Sequence, residues 1–138
     1  MNSDPLAALR AFADLIWNKG DFATGETLFA PGFQHHDLVT HRETDLGGYL
    51  SSIRYQRQAF PGVRFEIDET LVDGDRVATR WTVVGVHAES GRAVTVPGMS
   101  IDRLVDGKIA ENWTVWDRHG LLEQLRTDTR GAAETEPA

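Results

Sequence analysis

Asp117 closes the run "KIAENWTVWD", two residues before His119 and just after Trp116. Strands disfavour aspartate, so the position has two readings. Its side chain can cap a helix that begins at Arg118. Alternatively, its carboxylate can point into an apolar pocket and move protons. The preceding hairpin bears on that choice. With Asp106-Gly107 as a type I turn and Gly107 in a bulge, Leu104 would pair with Lys108, Arg103 with Ile109, Ile101 with Glu111 and Met99 with Trp113. The period of two then gathers Ile109, Glu111, Trp113, Val115 and Asp117 on one face with Met99, Ile101 and Arg103. A plain two-residue turn would move this by one and send Arg103 to the other face. On the expected face Asp117 is poorly solvated, which raises a carboxyl pKa toward the range of a useful base.

Other residues could assist it. Arg103 can either pair with Glu111 across the strands or hold a developing enolate oxygen. His36, after the apolar Phe33, can turn toward a pocket and donate to a carbonyl. Trp17, Tyr49, His87, Met99, Ile101, Glu111 and Trp113 complete the expected substrate-binding set. His35, His36, Asp37 and His41 invite a metal reading, but the spacing is not a helical i, i+4 pair and no further ligand is evident. No metal and no cofactor is expected.

The elements that must position these groups are legible from periodicity. "SDPLAALRAFADLIWNKGD" opens on Ser3 or Asp4 as a cap, places Pro5 in a first helical turn, and carries Leu6, Leu9, Phe12, Ala13, Ile16 and Trp17 on one stripe before Gly20. A short helix through "TGETLFA" stops at Pro31-Gly32. "FQHHDLVTHRE" reads as a polar connection, and "TDLGGYLSSIRYQRQAF" as a third helix ending at Pro61-Gly62. The second half alternates. "VRFEIDETLV", "RVATRWTVVGVHA", "AVTVPGMSIDRLV" and "KIAENWTVWD" are strands parted by Asp73-Gly74, "ESGR" and Asp106-Gly107. "RHGLLEQLR" is a short helical piece, and the tail "TDTRGAAETEPA" has no apolar face and is expected to be disordered. Helices followed by antiparallel hairpins predict an α+β domain over residues 1–126, with residues 127–138 as tail. In it, a curved antiparallel sheet covered by about three helices forms a cone with an internal pocket.

Composition narrows the function. The 138 residues carry a net charge of −7 without a basic run, which argues against nucleic-acid and acidic-membrane partners. There is no cysteine, so thiolate catalysis and Cys-ligated zinc are excluded. Neither a signal peptide nor a spanning apolar run is evident, and a cytoplasmic protein is expected.

The ordered set of "WNKGDF", "LFAPGFQHHD", "RQAFPGVRFEI", "RVATRWTVVGVH" and "GMSIDRLVDGKIAENWTVWDRHGLLEQL" resembles the SnoaL-like polyketide cyclase family, within the nuclear transport factor 2-like cone fold. The resemblance covers about Leu6 to Leu125. It implies cofactor-independent proton chemistry, in which an acidic residue late in the last long strand serves intramolecular aldol closure of a polyketide ester. Asp117 matches that position, with His36 or Arg103 stabilising the oxyanion. The family's Gly-Thr-His and long hairpin are here "GVHAESGR", with Val86 for Thr and a shorter turn, and Gly62 stands where an acid is common. The alternatives are epoxide hydrolysis, which needs two carboxylates and an arginine around one water, and a non-catalytic ligand-binding dimer. A homodimer is expected through a convex face bearing Ala110, Thr114 and Trp116.

Overall fold

The computed structural model describes residues 4–134, with side chains to Arg126. Helix α1 (Pro5–Ala11) starts where Asp4 Oδ1 accepts the Leu6 N–H at 2.9 Å, and Pro5 sits where its missing N–H is harmless. The helix then widens into a π-helical segment, Phe12–Lys19, closed by the Asp21 N–H on the Leu15 carbonyl and by Gly20 at φ 74°. Such wide turns recur near functional sites. This one carries Asn18, whose amide both donates to and accepts from the Phe65 backbone, at 3.2 and 2.7 Å. That pairing occupies the open side of an edge strand. Helix α2 (Phe22–Gly25) is short and runs through a 3₁₀ turn, Glu26–Leu28.

Strands β1 (Phe29–Asp37) and β2 (Arg42–Asp45) follow, then helix α3 (Leu46–Ala59), capped by Asp45 on the Gly48 N–H. Strands β3 (Arg64–Asp73), β4 (Arg76–Val86), β5 (Ala93–Val105) and β6 (Lys108–Trp116) form consecutive hairpins, and helix α4 (Arg118–Glu134) ends the described chain. The expected disordered tail thus meets a helix as far as Glu134, and its last four residues, 135–138, lie outside the described residues.

The α+β class holds, with four helices against one curved, unclosed six-stranded sheet in the order β2-β1-β6-β5-β4-β3. One feature differs from the expected arrangement: the polar "FQHHD" segment is itself a strand, and it pairs parallel with β6 while every other neighbour is antiparallel. The apolar and polar residues of β1 alternate, with Phe29, Phe33 and His35 buried, and a bulge between Phe29 and Gln34 absorbs Pro31-Gly32. The core lies between the sheet's inner face and the helices. Ile16, Ile53, Ile109 and Val77 are its most enclosed side chains, each worth about 1.5–3 kcal/mol of burial.

The last hairpin corrects the expected register. Both central residues have positive φ, 50° at Asp106 and 77° at Gly107, as a two-residue type I′ turn requires, and Val105 pairs with Lys108. The extra residue is Ala110, bulged between the pairs Leu104–Ile109 and Arg103–Glu111. The bulge restores what the turn alone would have reversed. Arg103, Ile101 and Met99 do share a face with Glu111, Trp113 and Val115, while Ile109 joins Leu104 in the core. The shared face, however, is the outer one. Its partner face, carrying Ser100, Asp102, Asn112, Thr114 and Trp116, looks inward.

Candidate active site

A cavity of about 330 Å³ lies between the inner sheet face and the helices. Phe12, Trp17, Ile53, Phe65, Trp81 and Val94 contribute apolar wall. Trp81 reaches across β5 at Gly98, where a Cβ would stand 2.3 Å from the indole, so only glycine lets that ring lie flat against the strand. Its N–H donates to Ser100 Oγ at 2.9 Å.

The polar end is a connected chain of side chains. Asp102 is 4% exposed, and burial pushes its carboxyl up to about 7, partly offset by a hydrogen bond from Asn112. Asn112 Nδ2 donates to Asp102 Oδ1 at 2.8 Å. Asn112 Oδ1 is therefore the acceptor for His35 Nδ1 at 2.7 Å and for the Thr114 hydroxyl at 2.8 Å. With Asp102 ionised the order has one direction: the carboxylate must be given a hydrogen, which turns the amide oxygen toward His35. His35 is then the Nδ1–H tautomer with Nε2 as its acceptor nitrogen. Burial holds its pKa below the usual value despite the bond to Asn112, so it is neutral at pH 7. Its ring stacks on Tyr49 at 4.1 Å.

The second oxygen of Asp102 receives no hydrogen bond among the described residues. Thr79 Oγ1 is buried without a partner, and the Tyr49 hydroxyl also makes no hydrogen bond among the described residues. Both residues line the cavity. Burial, with the charges of Asp102 and Asp37 adding, pushes the Tyr49 phenol far above its ordinary range, so it stays a donor. Asp37 is committed elsewhere, accepting from the Val39 and Thr40 N–H groups and from Trp116 Nε1.

The expected site residues divide between two faces of the sheet. Trp17 and Tyr49 line the cavity. Asp117 does not: it is exposed and its Oδ1 caps α4 by accepting the Gly120 N–H at 2.8 Å. By alternation it follows the outward-facing Val115 by two, so even a longer β6 would turn its side chain away from the cavity. His36 points outward, 2.7 Å from Glu111 and 3.1 Å from Glu43, and stacks on Trp113. Burial opposes its protonation, but the bonds and charges of Glu111 and Glu43 outweigh this and raise its pKa. Arg103 pairs with Glu111 at 3.1 Å. The His36 hydrogen bond first, and Arg103 after it, hold Glu111 below the usual carboxylate range against its burial. Met99 and Ile101 are 54% and 44% exposed on that same outer face. His87 bonds Ser90 in the β4–β5 turn and packs on Phe60.

Asp102, Asn112 and His35 were not among the expected site residues. One signal was present: Leu104 is apolar and two residues from Asp102, so a core-facing Leu104 places Asp102 inward. Among the described residues, no group of three or more His, Cys, Asp or Glu is placed to hold a metal ion, and no helix is long and apolar enough to cross a membrane.

Residues 7–125 match the family model of the SnoaL-like polyketide cyclases. The chain belongs to that family. No curated protein matches the chain. Among solved structures, IdmH, a proposed polyketide cyclase from Streptomyces antibioticus, is 26% identical with a TM-score of 0.82, covering 89% of this chain and 99% of its own. A proposed polyketide cyclase from Acidithiobacillus ferrooxidans is 26% identical with a TM-score of 0.80, covering 92% and 97%. A protein of ketosteroid isomerase-like fold from Catenulispora acidiphila, 18% identical with a TM-score of 0.75 over 85% and 90%, shares the fold. In this member of the SnoaL-like family, the most enclosed carboxyl among the described residues is Asp102 rather than the acid at the strand end.

Proposed function

We propose that this protein is a cofactor-independent acid/base catalyst acting on a small polyketide-like or cyclic carbonyl compound, with ring closure as its reaction. The observation that carries the reading is Asp102: buried, with its carboxyl raised to about 7, and with one oxygen unclaimed at the cavity wall. Its carboxylate takes a proton from a carbon between carbonyls. The resulting enolate, its oxygen held by the Tyr49 or Thr79 hydroxyl, attacks a second carbonyl of the same molecule and a C–C bond forms. The new alkoxide takes the proton back from Asp102. Nothing is gained or lost, so no co-reactant is required.

His36, Arg103 and Asp117 lie outside the cavity and take no part in this scheme. Epoxide hydrolysis is less well supported, because Asp37, the second carboxylate at the wall, is occupied by three N–H donors. The reading keeps the cytoplasmic setting and the homodimer expected from the sequence. The dimer face changes: Thr114 and Trp116 line the cavity, and the exposed apolar residues of the outer face are Met99, Ile101 and Val115.

The test uses 2-tetralone, a two-ring ketone with acidic C–H groups, incubated with the protein in D2O and followed by proton NMR. Loss of the α-proton signal is expected to accelerate in proportion to protein concentration. A probe that binds, seen by line broadening, without faster exchange would contradict the proposal and favour a binding module.

A further inference from the structure

The cavity wall holds two carboxylates and, among the described residues that line it, one lysine or arginine: Arg42. Arg42 and Thr44 alternate along β2, so both face inward, whereas Glu43 between them faces out to His36. Arg42 stands directly across from Asp37 in the β1–β2 register. Opposite charges so placed normally pair. They do not do so here: Asp37 is taken by two turn N–H groups and the Trp116 indole, and Arg42 makes no ion pair or hydrogen bond among the described residues. Two positions along, Thr44 Oγ1 is buried with no partner. An exposed guanidinium is unremarkable alone. A guanidinium freed from its cross-strand acid, beside an orphaned hydroxyl on the same wall, makes a set of donors with no acceptor among the described residues.

We infer that Arg42 and Thr44 form an anion subsite at the cavity mouth. The substrate then carries a carboxylate or equivalent anionic group at the end remote from the carbon that Asp102 deprotonates. The inference rests on reading the cavity as the substrate site. It adds orientation: the anion is held by Arg42, away from the buried acid, so the acidic C–H enters first. An uncharged ester of the same molecule would lose that anchor.

Two fluorescent probes with one aromatic frame test this: 8-anilinonaphthalene-1-sulfonate, which is anionic, and N-phenyl-1-naphthylamine, which is neutral. Arg42→Gln is expected to weaken the sulfonate probe by about tenfold or more and leave the neutral one unchanged. Arg64→Gln, the same charge change on an exposed strand residue outside the cavity wall, is expected to alter neither. Equal sulfonate affinity in wild type and Arg42→Gln would overturn the subsite, as would an equal loss from Arg64→Gln. If the wild type binds neither probe, the cavity reading fails and the subsite with it, an outcome distinct from the first two.

Discussion

Asp102→Asn is expected to slow proton exchange on the ketone probe by about 10²–10⁴-fold, the usual contribution of a placed general base. The substitution keeps shape and still offers an oxygen to Asn112 Nδ2, so fold and probe affinity are expected to survive. Asp117→Asn is expected to leave exchange unchanged, because that carboxylate caps α4 in solvent. Wild-type activity should rise with pH through about 7 as Asp102 ionises. The stability effect has the opposite sign. With the folded pKa raised from 3.8 to about 7, the folded state binds more protons than the unfolded one between those values. Asp102 therefore costs stability progressively as pH rises through that window. Asp102→Asn should accordingly be more stable than wild type above pH 7, with the gain vanishing below pH 4. Exchange rates and thermal melts across pH check both parts.

The second large effect is expected at Asn112. Asn112→Leu removes the donor to Asp102 and the acceptor for His35 and Thr114 in one step. Asp102 loses the one interaction that holds its pKa down, so the ascending limb of the pH–rate profile should move to higher pH. At pH 7 the rate should fall by about tenfold or more. Stability should fall as well, since each buried polar group left unpaired costs about 1–3 kcal/mol. A pH–rate profile separates the two contributions. A merely structural Asn112 would lower stability and leave the limb where it was.

The sequence carried the fold more fully than the site, for a physical reason. Helical stripes such as Leu9–Phe12–Ile16 and turn pairs such as Asp73-Gly74 are local, and the hairpin order follows from them. Which side of a strand meets the helices is not local. The alternation of β5 and β6 correctly grouped Met99, Ile101 and Arg103 with Glu111, Trp113 and Val115. Both faces nevertheless carry large apolar residues, and the expectation chose the outer one. Leu104 and Val96 are buried and Met99 and Ile101 exposed, a distinction of packing and not of residue type. The bulge at Ala110 compounded this, since a type I′ turn plus a bulge gives the same grouping as the turn expected from Gly107. Strand β1 was hidden because Pro31-Gly32 interrupts its alternation and because it pairs with β6, distant in sequence. His35 and His36 point to opposite sides of it, one toward Asn112 and one toward Glu111.

The most direct test of the account is titration of the Asp102 carboxyl by NMR, with ¹³C-labelled aspartate and Asp102→Asn for assignment. An apparent pKa near 7 is the expected result, and it should move in step with the pH dependence of exchange. A value near 4 would mean that water reaches the carboxylate freely, and Asp102 would then not be the base.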